Sequence, residues 1–391
     1  MDYPIIVCEQ AGPVVLMRPT GGGWARSVLA PSGRWPAWNP ARDIVAFSVV
    51  DARRDPPRSS IELVDLEGHA LRTLYESPAG VSPVITPRVP HYALWSPGGR
   101  VLSYVARSSY GLTLFLGDTD GVLLADPIIN GAPLFIAWCT DDNFLAVHSG
   151  TELAVVETQG SKVTAEVAAR AVGFRTPAFS DDAEILAYAV PAEPGVAVMR
   201  AHFQGTGGHE VRRFAGGVAL AFRPGTQELS VAVAKETETG AFDELWTLDL
   251  SKEPAPARLV TRGPFVAFFW APTGDKMVLI VPTQSGDGRY AARALAPDGA
   301  FVAATDGVVP SQDYRMLLGF FDQYAQSHHL WSPDGESFLL AGRLATDAVS
   351  GSFGEPIGDM VLAWRVARGQ PLEVVAPGDI GFFRPARQRI R

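Results

Sequence analysis

Short apolar runs rich in β-formers follow one another along the chain, each bounded by Pro, Gly, Asp or Ser. Ser337-Phe338-Leu339-Leu340-Ala341 and Val101-Leu102-Ser103-Tyr104-Val105 are two of them. Each follows an aromatic-led turn, Trp331-Ser332-Pro333-Asp334-Gly335 and Trp95-Ser96-Pro97-Gly98-Gly99. Runs of this length between turn signals read as strands that double back antiparallel. The turn has its own logic. The aromatic closes one short strand and fills the wedge between two sheets. Pro presets φ at the second turn position, and Asp or Gly accepts the tight geometry that follows.

The same grammar recurs in looser copies: Trp38-Asn39-Pro40, Trp138-Cys139-Thr140-Asp141-Asp142, Phe179-Ser180-Asp181-Asp182, Phe222-Arg223-Pro224-Gly225, Trp270-Ala271-Pro272-Thr273-Gly274 and Phe383-Arg384-Pro385. About half a repeat after each anchor comes a second strand pair around a second turn. Examples are Ile61–Asp65 with Glu67-Gly68, Leu112–Leu116 with Asp120-Gly121, Leu153–Val156 with Gln159-Gly160, Ala292–Leu295 with Asp298-Gly299 and Val361–Trp364 with Arg368-Gly369. Each unit therefore holds four short antiparallel strands, A to D. Anchors 41 to 61 residues apart in four-stranded units predict an all-β fold, a β-propeller. Running off the end after Phe383 and back through Met1 to Trp38 spans 46 residues, one blade. The first strands, Ile5–Val7, Val14–Met17 and Ala25–Leu29, read as B, C and D of a blade whose strand A lies at Ile380–Phe383. The ends of the chain are thus expected to share a blade, which removes open sheet edges. Eight blades in a single domain over residues 1–391 is the expectation, with seven the alternative if one weak copy is not a blade.

The Trp-Ser-Pro-Asp-Gly turn resembles the TolB-like, or WD40-like, propeller repeat, also found in the propeller domains of prolyl oligopeptidase-type peptidases. The resemblance runs over essentially the whole chain and is closest at Trp95 and Trp331. It implies an architecture, not a function. It also implies an orientation, in which strand A begins beside the central channel on the face carrying the D–A and B–C loops. Residues four positions before each anchor then ring the channel mouth: Arg34, His91, Leu134, Arg175, Val218, Val266, Ser327 and Asp379.

Composition narrows the function classes. The 391 residues carry 33 basic and 42 acidic side chains, a formal net charge of −9. That is no footprint for nucleic acid. Cys8 and Cys139 are too few and too far apart for a disulfide framework or a zinc spacing, and read as buried small apolar groups. The N-terminus has no basic segment ahead of a long apolar run, and no segment has the apolar length of a membrane span. A cytoplasmic protein, without membrane or nucleic-acid partners, is expected.

Candidate chemistry collects near the repeats at the two chain ends. Long connections at Tyr75–Pro90, Asp51–Ser60, Ala345–Gly358 and Thr305–Ser327 all fall there, and such loops often carry function. The last contains the one helical period of the chain, with Tyr314, Leu317, Leu318, Phe321 and Tyr324 on one face. It is expected to cap the channel edge, or to act as a lid. A channel-mouth ligand site is expected from Arg34, His91, Arg175, Arg315, Tyr324, His328 and Asp379. Its Arg and His content suits an anionic small molecule or a carboxylate-bearing peptide. His328 and His329 are adjacent and point to opposite faces, so they cannot chelate one metal; one should face the channel and the other pack between blades. Asp141-Asp142, Asp181-Asp182 and Asp243-Glu244 read as turn or strand-entry residues. Ser350-Gly351-Ser352-Phe353-Gly354 lacks the spacing of a nucleophile elbow. No cofactor or metal is expected. The leading expectation is a protein-interaction or ligand-binding platform. The alternative is an enzyme of lyase, hydrolase or cyclisation type acting on an anionic small molecule.

Overall fold

A computed structural model of the chain describes residues 2–386 except 11, 121–126, 160–161, 169, 172–174, 236–239, 285, 287 and 345–357. Gly121 and Gly160 of two expected turns, the Ser350–Gly354 string and nearly all of the Ala345–Gly358 connection lie outside the described residues.

The anchor turns form as their chemistry requires. Four residues after the aromatic the backbone turns left-handed, at Gly99 (φ 70°), Asp142 (67°), Ala183 (59°), Gly274 (68°) and Gly335 (71°). The N–H of that residue donates to the carbonyl just after the aromatic, for example Gly99 to Ser96 at 2.8 Å and Gly335 to Ser332 at 2.9 Å. The chain then re-enters as strand B.

The tryptophan wedges carry a further bond. The indole N–H of Trp38 donates to the Phe382 carbonyl at 3.1 Å, that of Trp95 to Ala37 at 3.2 Å, that of Trp138 to Leu94 at 3.3 Å and that of Trp331 to Phe269 at 3.0 Å. In each case the acceptor is the residue before the preceding anchor. The repeat thus specifies sheet-to-sheet registration as well as a turn.

Six four-stranded antiparallel sheets and one eight-stranded sheet result. The first repeat pairs Arg34–Trp38, Ile44–Asp51, Arg58–Asp65 and Ala70–Glu76 in order. The eight-stranded sheet holds the Trp270 repeat and strands B to D of the Trp331 repeat. They are joined because Val308–Pro310 pairs with both Tyr290 and Leu344–Gly342. Nothing in the repeat spacing signals this fusion. It arises in the long D–A connection, where spare backbone bridges two neighbours. The total is consistent with eight blades.

The expected closure is present. Ile380–Phe383 pairs antiparallel with Ile5–Cys8 in the register Ile5↔Phe383 to Cys8↔Ile380, and Val14–Thr20 and Gly23–Ala30 complete that sheet. Both cysteines are buried. No helix among the described residues is long and apolar enough to cross a membrane.

The connection from the sixth to the seventh repeat carries two short helices, α1 (Gln312–Gly319) and α2 (Phe321–Tyr324). Ser311 caps α1, its side chain accepting from the Tyr314 N–H at 3.0 Å, and Asp313 sits favourably in the first turn. The apolar face anticipated from the spacing is buried, with Tyr314, Leu317, Leu318, Phe321 and Tyr324 all at 5% exposure or less. The segment does not cap the channel edge. It enters the channel and packs on the strands around it. Tyr324 stacks on Trp35 at 4.8 Å and meets Tyr92 edge-on at 5.3 Å. Phe320 lies 6.2 Å from Phe135, and Phe321 lies 5.1 Å from Phe268 and 5.8 Å from Phe242. His328, just beyond, packs on Phe382 at 4.6 Å. The insert is a plug.

Candidate functional site

Of the residues four positions before the anchors, Arg34 and Asp379 come together at the start of α1, whereas His91 and Arg175 have other partners. Arg34 and Asp379 are joined through two residues that spacing alone did not single out. Arg34 Nη1 lies 3.3 Å from Asp313 Oδ2, Arg88 Nε lies 2.5 Å from Asp313 Oδ1, and Arg88 Nη2 lies 2.7 Å from Asp379 Oδ2. The carboxylates are buried while both guanidiniums are about a quarter exposed. Ser311 Oγ also donates to the Asp379 carbonyl. This chain of charge clamps the start of α1 to the strands of the first and last repeats. Burial, reinforced by the neighbouring Asp313, raises the Asp379 pKa, while Arg88 opposes the shift.

His91 stands apart. Its Nε2 lies 3.1 Å from Ser59 Oγ and its Nδ1 3.0 Å from Ser48 Oγ, and burial pushes its pKa down to about 3. His328 is enclosed by Trp35, Tyr324 and Phe382, with Nδ1 2.5 Å from Ser327 Oγ; burial lowers it to about 3 as well. His329 lines the anchor-turn cavity. The two histidines do point to different surroundings, but neither lies in a strand, and His328 packs against the plug rather than between blades. Arg175 lies 5.4 Å over the Phe242 ring, and its carbonyl lies 2.8 Å from His148 Nδ1. Arg315 is exposed on α1, with Nε donating to the Pro310 carbonyl at 3.2 Å. Tyr324 is inside the plug.

Asp313, Arg88 and Asp322 are the site residues that spacing missed. A signal existed for the two acids. Asp313 precedes Leu317 by four residues and Asp322 follows Leu318 by four, so both lie on the apolar face of the one helical period. Charged groups are rarely buried without partners, so each announced a polar contact inside the channel. Asp322 Oδ2 accepts the Thr176 N–H at 3.0 Å, and Oδ1 has no partner. Burial raises its pKa against the opposing field of Arg175.

Because the plug fills the middle, the channel becomes two blind concavities. On the D–A and B–C face, an apolar groove of about 460 Å³ runs between the plug and the second and third repeats, lined by Ile85, Leu112, Phe135, Met316, Phe320 and Tyr324 among others. On the face of the anchor turns, a cavity of about 310 Å³ is walled by anchor aromatics and floored by the residues after α2. The expected site lies on the first face, yet its Arg and His side chains do not line the groove; of the seven expected residues Tyr324 does. Among the described residues no group of three or more His, Cys, Asp or Glu could hold a metal.

No family model matches the chain, and no curated protein matches its sequence. Solved structures do resemble it. A eukaryotic initiation factor aligns at a TM-score of 0.59 and 12% identity, over 98% of this chain and 99% of that one. The C-terminal WD40 domain of Sif2 aligns at 0.54 and 12% over 87% of each. An oligogalacturonate lyase in complex with manganese aligns at 0.50 and 13%, over 83% of this chain and 82% of that one. At such identities the likeness is one of fold, and the fold is the β-propeller that the TolB-like or WD40-like repeat implied.

Proposed function

We propose that this propeller is a non-catalytic binding platform whose D–A and B–C face takes an apolar element of a protein partner in the groove beside the plug. The observation that carries the reading is the groove itself. Ile85, Leu112, Met316 and Phe320 are each only partly buried there, so a continuous apolar strip faces outward between rigid strands and a fixed helix pair. Such a patch is the usual mark of an interaction site. Arg315, exposed beside Met316, favours acidic residues flanking the inserted group.

The enzymatic alternative has less support. A general base works best with a pKa near the operating pH. His91 and His328 are held far below that by burial and spend ring nitrogens on serine hydroxyls. Arg34 and Asp379 are engaged in the clamp.

A peptide display selection on the purified protein tests the proposal. Enriched peptides should carry an aromatic or aliphatic residue flanked by Asp or Glu. Phe320→Ala and Arg315→Glu should each weaken a selected peptide about tenfold, the loss of one anchor contact or charge pair, with the fold retained. No enrichment, or enriched peptides indifferent to both changes, would rule the groove out.

A further inference from the structure

The concavity on the opposite face has a different chemistry. Its walls are anchor aromatics, Trp38, Trp95, Trp138, Trp270, Phe179 and Phe222, and its floor is Asp322, Gln326, Ser327 and His329. The acidic side chains among its described lining are Asp181 and Asp322; no lysine or arginine is among the described lining. Burial raises the pKa of each acid, so that a cation brought beside them would favour their charged forms. His329 does not supply a cation near neutral pH, because burial lowers it to about 4. Asp181 stands toward the turns, its Oδ2 accepting the Gly225 N–H at 2.5 Å.

Two further observations give this cavity a preferred ligand. Asp322 is 3% exposed; Oδ2 takes the Thr176 N–H and Oδ1 has no partner at hydrogen-bond geometry. The nearby N–H groups of Asp322 and Gln323 and the field of Arg175 give the carboxylate only partial compensation for burial. A buried carboxylate oxygen left without a donor is costly, and a donor group entering the cavity would relieve it. The anchor rings, moreover, already receive cations at the rim. The Arg223 guanidinium lies 5.6 Å over Trp270 and that of Arg384 lies 5.6 Å over Trp38. Each is itself ion-paired, to Glu228 and Asp43. Trp95 and Trp138 line the same cavity with no such cation over them among the described residues. Aromatic faces beside a carboxylate attract ammonium and guanidinium groups.

We propose that the anchor-turn cavity binds an alkylammonium or alkylguanidinium group, with its apolar stem against Trp95 and Trp138 and its charged head toward Asp322. This site lies on the face opposite the groove, and its preferred charge is opposite to the one expected for the D–A and B–C face. The volume, about 310 Å³, is at the lower end of ligand pockets. The head group can belong to a free amine or to a lysine or arginine side chain of a partner.

The test titrates the full chain with n-hexylammonium, 1-heptanol and hexanoate, following tryptophan fluorescence. Hexylammonium should saturate, heptanol should bind at least tenfold more weakly and hexanoate weakest. Asp322→Asn, which keeps an acceptor for Thr176, should cost hexylammonium tenfold or more and leave heptanol unchanged. Asp181→Asn should cost a few-fold and decides the matter if the first variant unfolds. A second arm compares an acetylated hexapeptide with a single lysine against its norleucine counterpart. Tighter binding of the lysine peptide than of hexylammonium assigns the group to a partner chain, and the reverse assigns it to a free amine. Equal affinity for hexanoate and hexylammonium, or cation binding indifferent to both carboxylates, would overturn the proposal. Phe320→Ala, in the groove, should leave hexylammonium affinity unchanged, so the two faces succeed or fail separately.

Discussion

The anchor tryptophan does two jobs with one side chain. Its ring fills the wedge between neighbouring sheets, and in Trp38, Trp95, Trp138 and Trp331 its N–H reaches a carbonyl of the sheet before it, while Trp270 donates to Ser230 Oγ instead. Phe179, Phe222 and Phe383 do only the first. Trp95→Phe should therefore retain the fold but leave the buried Ala37 carbonyl without this donor, at a cost of about 1–3 kcal/mol. The residue four after the anchor supplies an opposite case. Ala183 holds φ 59°, a conformation that costs a side chain energy and glycine almost none. Ala183→Gly should raise stability by roughly 0.5–1 kcal/mol. Denaturant titration of the two variants checks both signs, and two losses would contradict the turn argument. Asp142 shares the left-handed geometry, yet its Oδ1 accepts the Gly98 N–H of the neighbouring turn at 2.9 Å, so glycine there would lose a bond. These roles were legible because turn chemistry is local. The indole bonds were not, because their partners lie one repeat away in sequence.

At the scale of elements, the plug decides what the site can be. A three-and-four spacing reveals that a helix buries one face. It does not reveal what the face is buried against. The segment was therefore legible as a helix and illegible as the filling of the channel. The same limit applies to Arg34, His91 and Asp379: the repeat spacing groups them, but it does not specify their partners. The clamp joins Arg34 to Asp379 through Asp313 and Arg88, while His91 bonds Ser48 and Ser59 instead. Burial inside the ring has a consequence for acid stability. His91 and His328 have folded pKa values of about 3, below the ~6.5 of an unfolded histidine. The unfolded chain takes up these protons first, so stability is complete above pH ~6.5 and falls as pH drops from there toward 3. At pH 5.5 the loss should be roughly 1 kcal/mol per histidine. Denaturant midpoints at pH 7.5 and 5.5, with a smaller shift in His328→Gln, measure it. No loss, or a gain at the lower pH, would mean that these rings are hydrated rather than enclosed.

The molecule as a whole is a ring whose closing sheet takes strand A from one end of the chain and strands B to D from the other. Counting repeats and noticing that the two end fragments complete one unit was enough to foresee this. The fusion of the sixth and seventh repeats was not foreseeable, since three residues of a long connection decide it. Closure around a plug also fixes the surface chemistry. An open channel would be one continuous site, whereas the plugged one offers an apolar groove on one face and an aromatic, acidic cavity on the other. Everything proposed for either face depends on that division. Amide hydrogen exchange across residues 312–324 tests it most directly. A plug held by the surrounding strands should exchange as slowly as Leu134–Trp138 and Gly217–Phe222, which pack against it, opening only when the ring opens. Exchange orders of magnitude faster than those strands would make the segment a surface lid, rejoin the two concavities into one channel and contradict the account.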